Sequence, residues 1–154
     1  MVKLLLKNIE ALKQYLRKEI GASDWHLVTQ SEINMFADAT GDHQWIHVDV
    51  ERAKRESPYG GPIAHGYYTL SLAPVLMAEI FEVQEKKMGV NYGTEKVRFP
   101  SPVPIGKKVR MRATLLNLTE IQDLGVQANF QLTFEVENQP KPACVAEVIY
   151  RYYV

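Results

Sequence analysis

Residues 63–81, IAHGYYTLSLAPVLMAEIF, restrict the fold more than any other part of the chain. The run is apolar on nearly every side. A helix with one apolar stripe needs one neighbour, but a helix apolar all round must be covered on most of its surface. The run is too short, and too polar at both ends, to cross a bilayer. It therefore reads as a central helix that the remaining chain must wrap. Pro74 inside it predicts a kink or local break, because proline has no N–H to offer the carbonyl four residues back.

The second half of the chain supplies a cover. Glu95, Val97 and Phe99 alternate with Thr94, Lys96 and Arg98 before prolines 100, 102 and 104 interrupt. Val109, Met111, Ala113 and Leu115 alternate with polar residues. Val126, Ala128, Phe130, Leu132, Phe134 and Val136 do the same in the cleanest run of the chain. Cys144, Ala146, Val148, Tyr150, Tyr152 and Val154 share one face of a last strand. Period-two patterning with one wet face implies an antiparallel sheet. Turn-rich residues 120–125 and 138–142 suit hairpin-like pairing. The expected class is α+β, a sheet of four long strands whose dry face closes on residues 63–81.

Helical patterns precede this. Ile9, Leu12, Leu16 and Ile20 recur at helical spacing ahead of Gly21, which predicts an amphipathic helix over residues 8–20 docked on the domain. Thr29-Gln-Ser-Glu32 is a capping-box pattern that opens a second helix, with Ile33, Phe36 and Ala37 inward. Gly41 can take the left-handed conformation that ends it. Asp49 reads as the N-cap of a short helix over residues 50–56. With no repeats or linkers, residues 1–154 are expected to form one domain, with the helix within residues 1–22 packed on it.

The 18 basic residues balance 18 acidic ones, so no charge signal points to nucleic acid or an anionic membrane. The first residues carry too short an apolar core for a secretory signal, and a cytoplasmic location is expected. The single cysteine, Cys144, sits in a strand pattern and reads as an inert core thiol.

Two segments carry chemistry. Asp42 emerges past the expected helix end, with His47 five positions on; His65-Gly66 opens the apolar run. Alone, Asp42 reads as a turn former and His47 as a hydrogen-bonded structural histidine. Together the segments supply a carboxylate, an imidazole and a helix-start amide, the parts needed to add or remove water. Histidine suits proton transfer because its ordinary pKa lies near neutrality. The Gly66 amide, without an acceptor behind it in the helix, is the candidate oxyanion donor. His43, His47, Asp49 and His65 match no standard zinc spacing, so no metal is expected. Tyr67 and Tyr68 read as packing residues.

Ala39-Thr-Gly-Asp-x-x-x-Ile-His-x-Asp49, then Ile63-Ala-His-Gly66 with Ser71-Leu72, then residues 97–106 (VRFPSPVPIG), resemble the MaoC-like dehydratase family, and in particular its nodulation-protein-N-like branch. The resemblance spans residues 29–154. It implies a hot-dog fold, a sheet wrapped around a central helix, with additional N-terminal helices here. It also implies a cofactor-independent hydro-lyase of the (R)-specific enoyl-CoA hydratase type. Asp42 and His47 would be its catalytic pair, Gly66 its backbone oxyanion donor, and an acyl-CoA or acyl-carrier-protein thioester its substrate. A homodimer paired through sheet edges is implied as well. Gln44-Trp45 stands where most of the family has Asn-Pro, which puts both residues among the expected substrate contacts, with His65 and Ser71. Two other classes remain open on this scaffold. A thioesterase would need a carboxylate on the central helix, where Glu79 is the only acid. A non-catalytic acyl-thioester binder needs neither.

Overall fold

In a computed structural model that describes residues 2–154, the chain runs through fourteen elements. They are β1 (Leu4–Leu6), α1 (Ile9–Lys13), β2 (Lys18–Ala22), β3 (His26–Leu27), α2 (Gln30–Thr40), α3 (Trp45–Val48), α4 (Val50–Glu56), α5 (Gly66–Ser71), α6 (Ala73–Ile80), β4 (Phe81–Val83), β5 (Met88–Arg98), β6 (Lys108–Ile121), β7 (Gly125–Val136) and β8 (Cys144–Tyr153).

The main sheet has the order β2-β6-β7-β8-β5, with β3 also paired to β6, and every pairing is antiparallel. Strand β7 buries Val126, Ala128, Phe130, Leu132, Phe134 and Val136 and leaves the residues between them half-exposed. Its neighbours bury Val109, Met111, Ala113 and Leu115 on one side and Cys144, Ala146, Val148, Tyr150 and Tyr152 on the other. In β6, β7 and β8 the inward residues are those the alternation predicts, except Val154, which lies past β8 and is exposed. β5 spans Met88–Arg98, only its Val97 is not exposed, and Phe99 lies past its end and is exposed. The dry face closes on Ala73, Leu76, Met77 and Ile80 of α6. Cys144 is fully buried, and burial pushes its thiol up to about 12, as an inert core thiol requires.

The N-terminal helix departs from expectation. Only Ile9–Lys13 is helical, capped by the Asn8 side chain. Arg17 then takes a left-handed conformation at φ 60°, and its amide donates to the Leu115 carbonyl at 2.7 Å. That turn delivers residues 18–22 to the edge of β6, so Ile20 and Gly21 are sheet residues. Hydrogen bonding to an open strand edge outweighs a helical spacing that Leu12 and Ile20 satisfy equally well in two elements. Gly21 serves here as a small residue, since a Cβ on it would lie 3.2 Å from Ile80.

The central helix is also shorter than residues 63–81. It starts at Gly66 and is interrupted at Leu72; Pro74 lies in the first turn of α6. This is the break that the proline predicts, and it is mild. Leu72 keeps α dihedrals, donates to Tyr68 O and accepts from Leu76 N. At the far end Phe81 is extended and begins β4, which pairs in parallel with β1. Residues 62–64 are a lead-in pinned to the proline-rich segment, with Ala64 N donating to Val103 O and Ile105 N to Pro62 O. A second, smaller core of Val28, Ile33, Ala64, Tyr68, Val103 and Val109 lies under this junction.

Helix α2 has the capping box in full, Thr29 with Glu32, and ends on Gly41 at φ 81°. Asp49 caps α4 by accepting from Arg52 N at 3.0 Å. Among the described residues no helix is long and apolar enough to cross a membrane.

Candidate active site

Gly41 turns the chain out of α2, and Asp42 follows at the surface, its carboxylate side chain 53% exposed. One carboxylate oxygen accepts from Gln44 N at 3.3 Å, an Asx-type turn that leads into α3. His47, in that short helix, is buried. Its Nδ1 lies 2.7 Å from the Ile63 carbonyl. A carbonyl can only accept, so Nδ1 carries the proton and Nε2 holds the lone pair. Burial lowers the proton affinity of His47. The Ile63 carbonyl and Asp42 raise it and His65 lowers it again, and the net shift is below the ordinary 6.5. A neutral imidazole with an open Nε2 is a base at neutral pH.

His65 lies against this ring, with centroids 3.9 Å apart at 27°. Asp42, His47 and His65 bring one nitrogen or oxygen each within 4.8 Å of one another. Two of the four ring nitrogens are committed to main-chain carbonyls, Ile63 O and Asp42 O.

His47 lines a cavity of about 320 Å³, together with Tyr59, Gly66, Thr69, Phe99 and Ser101. The Gly66 amide is the first of α5 and has no acceptor behind it in the helix. The Phe99 ring packs on Gly66, where a Cβ would stand 3.0 Å from it. The structure thus brings His47 and Gly66 to one cavity and Asp42 beside His47, although Asp42 itself does not line that cavity.

Of the other expected contacts, His65 is at the site, stacked on His47, and the rest lie elsewhere. Trp45 lies under the Arg52 guanidinium at 4.3 Å, on α4, and Gln44 is exposed; neither lines the cavity. Ser71 donates to Tyr67 O at 2.6 Å and borders a different cleft with Tyr92 and Tyr150. His65 is 3% exposed and does not line the cavity either. His43 is tied to Asp38 at 2.8 Å and does not line the cavity. Thr69, Phe99 and Tyr59 escaped the sequence reading. Only Thr69 had a signal, because three residues past Gly66 is the same helix face.

The main sheet covers one face of α6, and Pro74, Val75, Ala78 and Glu79 on its other side are exposed. The six-stranded sheet packed on the central helix is the hot-dog fold. It is shared with the (R)-hydratase from A. caviae involved in PHA biosynthesis, at TM-score 0.68 and 21% identity over 84% of this chain and 93% of that one. Residues 12–136 match the MaoC like domain, and the chain belongs to the MaoC-like dehydratase family. It is 52% identical over 135 residues to 3-hydroxyacyl-thioester dehydratase Z of Mycobacterium tuberculosis, covering 88% of this chain and 89% of the relative. It is 46% identical over 136 residues to Nodulation protein N of Rhizobium leguminosarum bv. viciae, covering 86% and 83%.

Proposed function

We propose that the protein is a hydro-lyase that adds water to trans-2-enoyl thioesters, coenzyme A esters among them, and removes it in reverse. The family resemblance supports an (R)-3-hydroxyacyl product. The observation that carries this reading is the neutral His47, with Nδ1 committed and Nε2 open, beside the Asp42 carboxylate and in one cavity with the Gly66 amide.

In hydration, water oxygen bonds to C3 while an O–H bond breaks and its proton passes to the Asp42–His47 pair. The C2=C3 electron pair moves toward the thioester oxygen, and C2 then takes a proton from the pair. The pair therefore ends the cycle as it began, and which member takes the first proton belongs to both as a coupled unit. Charge that develops on the thioester oxygen needs a donor already in place, a role the Gly66 amide fills at a typical worth of ~3–4 kcal/mol.

A thioesterase is less well supported. Glu79 is near the far end of α6 and accepts from Asp24 N at 3.1 Å. One assay separates the two: crotonyl-CoA is followed for loss of the conjugated absorbance and for free thiol together. Absorbance loss without thiol supports a hydro-lyase, and thiol release in step with turnover would sink it.

The second partner proposed is another copy of the chain. β5 ends the sheet, and all its residues but Val97 are exposed, with Met88, Val90 and Tyr92 among the large apolar ones. An open, apolar edge of this length invites a further strand. Light scattering at assay concentration should give a dimer; a monomer would contradict it.

A further inference from the structure

His65 is the one member of the cluster that the chemistry above leaves without a task. It is enclosed between the His47 ring on one side and Phe36 on the other, whose centroid is 4.9 Å away. Its Nε2 lies 3.0 Å from the main-chain carbonyl of Asp42, twenty-three residues back, so Nε2 carries the proton. Its Nδ1 is buried with no hydrogen-bond partner. In sequence His65 immediately precedes Gly66 and is the N-cap residue of α5, yet its side chain makes no cap there. Its hydrogen bond and its ring face both go to the other segment of the site.

We propose that His65 is a positioning residue: its N–H holds the Asp42 main chain and its ring face holds the His47 imidazole, which registers both to the Gly66 amide next to it. This rests on the hydro-lyase reading of Asp42, His47 and Gly66. Two other bonds already tie the segments, Ile63 N donating to Ile46 O at 3.1 Å and His47 Nδ1 to Ile63 O at 2.7 Å, but both lie at residues 46–47; the His65 bond is the one that reaches the Asp42 main chain. A misplacement of about 1 Å in a reacting group can cost a hundredfold in rate. The same contact excludes water from one face of His47, in line with its lowered proton affinity. The groups that act on the His47 ring electrostatically are Asp42 and His65. Tyr59 borders the cavity opposite, and His43 is held outside by Asp38.

Two substitutions divide the roles in the full-length protein. His65→Gln retains an N–H donor for the Asp42 carbonyl and removes the ring. His65→Phe retains a ring face for His47 and removes the donor. With crotonyl-CoA, both should lower kcat by about tenfold or more while KM stays within about threefold, because the loss is in alignment rather than in substrate contact. In substrate-free protein followed by NMR, the His47 midpoint should rise in both variants, because both remove the electrostatic influence of His65, and by about half a pH unit more in His65→Gln, where water also reaches the ring. Wild-type turnover in His65→Phe would show a mere space-filler and overturn the proposal, as would an unmoved His47 midpoint in His65→Gln. If the phenylalanine variant does not fold, kcat and midpoint of the glutamine variant decide. If the wild-type protein hydrates no enoyl thioester, the hydro-lyase reading fails by itself. The His47 midpoint then still tests the contact, supporting it if raised in His65→Gln and overturning it if unmoved.

Discussion

Helix α2 has a histidine–carboxylate cluster at each end, and the two are built differently. At its start, the Glu32 carboxylate accepts from Thr29 N at 3.3 Å and from the Tyr68 hydroxyl at 2.9 Å, with His26 Nε2 at 3.1 Å. At its end, Asp42 is half-exposed, His47 keeps Nε2 open, and His65 Nδ1 has no partner. The first cluster spends its polar atoms on holding α2, α5 and β3 together. The second leaves several unspent, beside a cavity. Polar capacity left idle in a buried place costs stability, so it persists where a ligand or a reaction uses it.

The largest test of that contrast removes the idle groups. His47→Gln and Asp42→Asn should each lower crotonyl-CoA hydration by about 10²- to 10⁴-fold, with an unchanged circular dichroism spectrum. Full activity in either variant would put the two clusters on the same footing. Next, Gly66→Ala adds a Cβ that meets the Phe99 ring at 3.0 Å, and should cost about tenfold or more in kcat. Phe99→Leu in the same chain should recover part of it; no recovery would remove Phe99 from the explanation.

Tyr68→Phe tests the spent cluster. It should lower unfolding free energy by about 1–2 kcal/mol, since Glu32 loses a charge-assisted bond, and leave kcat within about twofold. A kinetic loss larger than the stability loss would break the contrast.

The smallest effects are in pH. Because His47 has its proton affinity lowered from 6.5, its neutral form survives below that pH, and the acid limb of kcat/KM should fall under 6.5. Burial pushes Glu32 up, but the Tyr68 hydroxyl, Thr29 amide and His26 together hold it below its ordinary 4.5. Its contribution to stability is thus complete above 4.5 and is lost as pH falls through the lowered folded value. The wild-type and Tyr68→Phe denaturation midpoints should converge there and nowhere higher.

Much of both clusters was legible. Thr29-x-x-Glu32 and Gly41 mark the two ends of α2 by local hydrogen bonding and backbone sterics, which a sequence carries in full. The alternation in β6, β7 and β8 is legible because each buried side chain answers to one continuous core. The same rule fails on β5. Residues 88–93 have no alternation to read, since both faces of that edge are exposed and neither demands apolar residues. Arg17 gives no hint of a left-handed turn, so the helical spacing of Leu12 and Ile20 misleads. Trp45 could be placed near His47 by sequence, but its direction depends on Arg52 of α4, a contact no motif encodes. Phe99 is missed for the same reason: its ring reaches across to Gly66 from a segment thirty-three positions on.

The strand order has a consequence for how the chain is made. β8, residues 144–153, is the last strand in sequence and sits inside the sheet, between β7 and β5. On a ribosome, β5 has no neighbour until those residues emerge, and the β6–β7 hairpin waits with an open edge. Non-local pairing of this kind folds slowly and exposes strand edges meanwhile. A nascent chain stalled short of residue 144 would present one unpaired strand, β5, and the open edge of β7, beside a partly covered apolar helix, the kind of surface that chaperones bind.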